Sequence, residues 1–259
     1  MGVYEDILKL HDDLIHFGST IQSVSAKKME DESHIEANVF TAFYKIFANA
    51  ITLHRSVLSL CEAGWTHITA ILIRTILECS ANCLAIVNNE LPEYMAFKFL
   101  YHPYIQIIKD DKFPEEKREK ARIDLEQGIN NLKDKTIKQK AIDYRNLDKL
   151  DIFWFRPEEN GVSSIIDKYG GGDLKFLYGS LSMSAHAGHL GIFLFKDNSD
   201  DISIDPCENP EKTKLALLLS CRLLLELFCI RIVYEELDFN TDYDNFLKRI
   251  LAFKDYVRG

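Results

Sequence analysis

The sequence predicts an all-α protein: a single multi-helix bundle with a charged helical arm and one long acidic loop that holds short strands. Three observations carry that prediction. Apolar residues recur at three- and four-residue spacing along most of the 259 residues, helix-ending Gly, Pro and Asn fall between the periodic stretches, and strand-like patterns are confined to one segment. The 47% hydrophobic content is ample for a sizeable core.

Each element follows in order. Over 3–24, Ile7, Leu10, Leu14, Phe17 and Ile21 make one apolar stripe, and the polar stretch SAKKMEDES is expected to break the helix. Over 34–62, Phe40, Phe43, Phe47, Ile51 and Leu58 repeat the pattern, with Ala63-Gly64 as the stop. A helix over 66–89 follows, ended by Asn88-Asn89 and Pro92. The aromatic run EYMAFKFLYHPYIQII is then expected to kink or stop at Pro103. Residues 114–140 are highly charged with sparse apolar positions, which predicts one exposed helix projecting from the body.

Beyond an aromatic turn at Trp154, Phe155 and Arg156, a short helix near 162–169 leads into a Gly170-Gly171-Gly172 loop, from which Asp173 caps a helix to about Leu190. The acidic stretch GIFLFKDNSDDISIDPCENP lacks helical period; its IFLF and ISI pieces read as short strands. Helices over 211–236 and 242–256 close the chain. No composition shift marks a boundary, so one domain over 1–259 is expected, its core at about 34–236 and its charged arm at about 112–145.

A net charge of −9 argues against a chain that coats nucleic acid or anionic membrane through many unopposed cations. The amphipathic, acidic start MGVYEDILKLHDDLIHF does not resemble a secretory signal, so a cytoplasmic location with reduced thiols is expected. The run from Leu215 to Val233 includes Arg222, Glu226 and Arg231, charges that cost roughly 2.5–3.5 kcal/mol each in a bilayer, so a bundle helix without a membrane is expected there.

One segment, AILIRTILECSANCLAIV, places Arg74 and Glu78 one helical turn apart in an otherwise apolar helix. Arg before Glu is the weaker order for an exposed pair, so burial is expected, and a buried pair demands further polar partners. The helix FLYGSLSMSAHAGHLGIF supplies them: Tyr178, Ser182 and His186 share a face. Arg222 and Glu226 repeat the Arg-to-Glu spacing.

The combination of IRTILE, WFRP and YGSLSMSAHAG resembles a widespread group of uncharacterised bacterial helical proteins in which an R-T-x-x-E helix precedes a Y-x-x-L-S-x-x-x-H helix. The matching residues are Arg74, Thr75 and Glu78 with Tyr178, Leu181, Ser182 and His186. The resemblance extends to helical phage-defence proteins, including the HEPN nucleases, and implies a stress or defence role. HEPN ribonucleases carry R-x4-6-H on one helix, and no Arg in this chain is followed by His at that spacing. A composite site drawing Arg74 and His186 from two helices would serve the same chemistry, because acid–base work needs proximity rather than adjacency.

The expected function is thus a polar site inside the bundle that binds a small anionic or nucleotide-like ligand or RNA. As an enzyme it would be a metal-independent ribonuclease or hydrolase, with His186, Arg74 and Glu78 catalytic and Tyr178, Ser182, Arg156 and Trp154 binding the ligand. No cofactor or metal is expected, since His186 and His189 lack a second helix bearing a carboxylate-and-His pair. The locally basic stretch KDKTIKQKAIDYR, with its tyrosine, could meet RNA or an acidic partner, and the aromatic run at 94–107 would suit a homodimer. The alternative is a non-enzymatic interaction protein whose polar centre is purely structural.

Overall fold

A computed structural model describes residues 3–31, 37–151, 153–155, 161–185, 195–196, 202–203 and 210–253. The fold is an all-α bundle. In chain order the helices are α1 (Val3–Asp31), α2 (Ala37–Glu62), α3 (Thr69–Val87), α4 (Pro92–Lys109), α5 (Glu115–Asn131), α6 (Lys135–Arg145), the short α7 (Val162–Ile165), α8 (Gly171–Ala185), α9 (Pro210–Tyr234) and α10 (Asn240–Ala252). A 3-10 turn at Thr66–Ile68 opens α3, and a π turn at Ile166–Gly170 joins α7 to α8. Two short antiparallel strands, Phe195–Lys196 and Ile202–Ser203, pair Phe195 with Ser203 and Lys196 with Ile202 inside the acidic segment.

Helices α3 and α9 form the centre: α3 packs on α2, α8 and α9, and α9 also packs on α1, α2 and α10. The predicted stripe of α1 is buried at Ile7, Leu10, Leu14, Phe17 and Ile21. The core therefore extends beyond 34–236, since α1 and Ile250 of α10 belong to it. Helix α1 also continues through SAKKMED, because Ala, Lys, Met and Glu favour helix and the Ser25 hydroxyl and Lys28 ammonium bond to Glu235 of the α9 end. Helix α2 ends as predicted: Gly64 sits at φ +78°, with Trp65 N–H on the Leu60 carbonyl and Gly64 N–H on that of Cys61.

Three expectations are corrected. Helix α4 does not stop at Pro103 but continues to Lys109; the lost hydrogen bond and the crowding of the ring, together about 3 kcal/mol, are offset because both faces of α4 are packed. The charged region is two helices, broken where Asp134 caps α6 by accepting from the N–H groups of Thr136 and Ile137 at 2.7 and 2.9 Å. Neither helix projects freely. Leu125, Ile129, Leu132, Ile137, Ala141 and Tyr144 fold back on Phe97 and Ile105 of α4 as a second, smaller core. That packing takes in Phe97 of the aromatic run of α4, with Tyr94 and Tyr101 packed against it. Finally, the glycine triplet is helical, with α8 beginning at Gly171 straight after the π turn.

Among the described residues α3 is the helix that could cross a membrane by length and composition, yet half of its most apolar stretch is buried against its neighbours. The stretch 215–233 is likewise packed in the bundle, with Arg231 fully enclosed. Arg231 gives its Nε to Glu235 at 2.8 Å, and its guanidinium lies over the rings of Phe47 and Phe40 at 4.9 and 5.4 Å.

Between α1 and α2 the rings of His11 and His54 stack at 3.6 Å, and His11 Nε2 meets the His54 carbonyl at 3.0 Å. His11 Nδ1 and both His54 ring nitrogens have no hydrogen-bond partner. Burial pushes the basicity of both imidazoles down, that of His54 well below the ordinary histidine range, and each is held neutral.

Candidate functional site

Helix α3 exposes one polar stripe to the rest of the molecule. Arg74, Glu78 and Asn82 stand at four-residue intervals and so advance about 40° per step around the helix, while Ile73, Ile76, Leu77 and Ser80 turn into the core. The Ala70–Val87 segment buries one side, and its other side carries the guanidinium and the carboxylate beside the exposed Ile71.

At the first step of the stripe, Arg74 Nε donates to Glu78 Oε1 at 3.0 Å and an Arg74 terminal nitrogen donates to the Tyr178 hydroxyl at 3.3 Å. The guanidinium carbon also lies 5.3 Å from the centre of the Tyr178 ring. Helix α8 thus reaches α3 through the predicted tyrosine. Burial works against the Arg74 charge, but the Tyr178 hydroxyl and the Glu78 carboxylate outweigh it and raise its basicity. The cation is permanent.

The expected burial of this pair is corrected: the Arg74 and Glu78 side chains keep 20% and 30% of their exposure. The enclosed pair is Arg231 with Glu235, at 0% and 7%. Sequence reasoning passed over it, although its spacing is the same as that of Arg74 and Glu78. The third such pair, Arg222 with Glu226, is bonded and partly exposed.

Ser182 is half-buried one turn beyond Tyr178 on α8, while His186 and Arg156 lie outside the described residues. Trp154 does not join Arg74. It stands further along the stripe, where its indole N–H donates to Asn82 Oδ1 at 3.3 Å and its ring meets Phe99 edge-on at 5.4 Å. Tyr144 of the basic stretch is buried, bonded by its hydroxyl to His102 Nδ1 at 2.5 Å, so it is not available to stack on RNA.

Next to Trp154 a cleft of about 440 Å³ opens between α2, α3 and α4, bordered by Lys45, Asn49, Cys79, Asn82, Phe99 and Pro103. Burial pushes the Cys79 thiol up to about 12, so it is no nucleophile there. Sequence reasoning missed Asn49 and Asn82 as site residues. The continuation of the Arg74–Glu78 spacing to Asn82 was the available signal. Among the described residues no group of three or more His, Cys, Asp or Glu side chains is placed to hold a metal ion.

Fold and site together define an all-α bundle protein with a partly exposed Arg–Glu–Tyr centre where α3 meets α8. The chain belongs to the family of unknown function DUF5677, whose model matches residues 40–202 and so takes in Arg74, Glu78, Tyr178 and Ser182. No curated protein and no solved structure matches it.

Proposed function

We propose that the Arg74 centre holds an anionic group, the phosphate of a nucleotide-like ligand or of RNA, and that the protein serves in bacterial stress or phage defence. The observation that carries this reading is the partly exposed Arg74 side chain, pre-oriented by Glu78 on its own helix and by Tyr178 on α8. A cation fixed in advance loses little side-chain entropy on meeting an anion, and its planar fork suits phosphate oxygens. In the catalytic form of the proposal the protein is a metal-independent ribonuclease, with His186 moving the proton of the attacking hydroxyl or the leaving oxygen and Arg74 countering charge on phosphorus.

The test is expression of the wild type beside Arg74→Ala and His186→Ala in a bacterial host, with soluble protein, growth and RNA integrity followed together. Toxicity with RNA cleavage, lost in both variants at equal soluble protein, is expected. Intact RNA and normal growth at full expression of the wild type would remove the ribonuclease form, leaving phosphate or nucleotide binding to be measured by calorimetry.

A second reading is favoured by one specific observation: among the described residues Arg74 is bonded to Glu78 and Tyr178 of the protein itself, and Tyr178 joins α3 to α8. On that reading the centre is a structural clamp and function lies on the surface. Tyr178→Phe separates the two. A clamp loses melting temperature, whereas a binding site loses affinity at constant melting temperature.

A further inference from the structure

We infer that the cleft between α2, α3 and α4 is a second ligand site, built for a nucleoside monophosphate whose base lies against the aromatic wall of Phe99 and Trp154 and whose phosphate faces Lys45. It rests on residues other than Arg74, Glu78 and Tyr178, and so stands or falls apart from the reading above.

Its volume of about 440 Å³ suits a small organic molecule. Its walls are of two kinds. Phe99 and Trp154 meet edge-on at 5.4 Å and, with Ile46, Leu100 and Pro103, supply an apolar, partly aromatic wall. Polar atoms of both signs border it. Asn82 spends its carbonyl on the Trp154 indole at 3.3 Å, which fixes the amide so that its NH2 remains a donor. Asn49 gives its NH2 to Cys79 Sγ at 3.7 Å, leaving its carbonyl as an acceptor.

The third polar group follows from covalent chemistry. Pro103 sits inside α4 and has no N–H, so the carbonyl of Phe99, four residues earlier, lacks its helical donor. Both residues border the cleft. A proline in the middle of a long helix costs stability, and the carbonyl it leaves without a helical donor belongs to Phe99, a residue of the cleft wall.

The ligand class follows from the combination. A purely hydrocarbon guest would strip water from two amides and a carbonyl without replacing it. A sugar alone would waste the aromatic walls. A heteroaromatic ring with donors and acceptors along its edge satisfies both. Lys45 is exposed at the border, where its ammonium favours a negatively charged substituent on that ring. Base, mixed hydrogen-bonding edge and phosphate together make a nucleoside monophosphate.

The test titrates the full chain with adenosine, guanosine and uridine monophosphates, with inorganic phosphate and indole as controls. Heat is followed by calorimetry and Trp154 fluorescence in a Trp65→Phe background, since these are the chain's two tryptophans. At least one monophosphate is expected to bind and to change Trp154 emission. Pro103→Ala restores an N–H for the Phe99 carbonyl, so it is expected to weaken that binding about tenfold while leaving the melting temperature equal or higher. Asn49→Ala is expected to weaken it similarly, and Arg74→Ala to leave it unchanged. Absence of binding by all three monophosphates would overturn the proposal, as would equal binding of indole. Binding abolished by Arg74→Ala but indifferent to Pro103→Ala would also overturn it, while supporting the phosphate reading of the Arg74 centre.

Discussion

Arg231 and Glu235 form a closed ion pair, Nε to Oε1 at 2.8 Å, with the guanidinium wholly inside the bundle and the carboxylate also taking the Ser25 hydroxyl from α1. Its two terminal nitrogens face Phe40 and Phe47 without hydrogen-bond acceptors. Removing one member strands the other charge in a place water does not reach. Arg231→Ala is therefore expected to cost about 3–5 kcal/mol in urea unfolding. Arg74→Ala, at a pair still open to solvent, is expected to cost about 1 kcal/mol. Equal losses would show that the two pairs do the same structural work.

The stacked His11 and His54 rings make stability depend on acidity. Both imidazoles are less basic in the folded chain than in the unfolded one, chiefly through burial, and the Arg55 charge acts in the same direction on each. Asp12 opposes the effect at His11. The unfolded chain therefore binds more protons, so this contribution is complete above about pH 6.5 and is lost as pH falls below it. The slope is about 1.4 kcal/mol per pH unit for each proton taken up. His54→Phe keeps a flat ring and removes one titration, so the fall in melting temperature between pH 7 and pH 5 should become shallower. A profile unchanged by that substitution would assign the acid sensitivity to other groups.

At Gly18, α1 lies close against α9. A Cβ there would meet Phe228 Cζ at 2.5 Å, and the Phe228 ring is itself packed on Phe17 and Phe47. Gly18→Ala is expected to destabilise by about 1–3 kcal/mol through overpacking, against the small gain alanine brings to an exposed helix. Chemical denaturation distinguishes the two signs directly.

Asp134 supplies the cap that begins α6. Asp134→Ala should cost about 1 kcal/mol and Asp134→Asn much less, because the requirement is an acceptor for two N–H groups. If both cost the same, the charge rather than the cap matters.

Much of the bundle was readable because helical periodicity is a local signal. Ile7 to Ile21, Phe43 to Ile51 and Leu217 to Phe228 are apolar at helical spacing and all are buried. The 114–140 region misled because its helices are sustained by something other than an apolar stripe. Arg118–Glu115 at 2.5 Å and Arg122–Glu119 at 2.7 Å support α5 along its exposed side, and no more than about one residue per turn reaches the second core. The pairing of Arg74 and Glu78 with Tyr178 was legible as a motif, since each residue type and its spacing point to one polar contact. How deep that contact lies was not legible. Burial depends on which helices arrive from elsewhere in the chain, and Arg74–Glu78 and Arg231–Glu235 have the same local spacing but different neighbours.

Helix α4 is a wall shared by two rooms. Met95, Ala96 and Leu100 face the main core, and Phe97 and Ile105 face the smaller core under α5 and α6. The second room is closed by few apolar side chains, so it should come apart first on gentle unfolding, while α4 stays anchored by its other side. Amide protons of α5 and α6 would then exchange with solvent sooner than those of α3 and α9, and the chain would reach full unfolding in two stages rather than one.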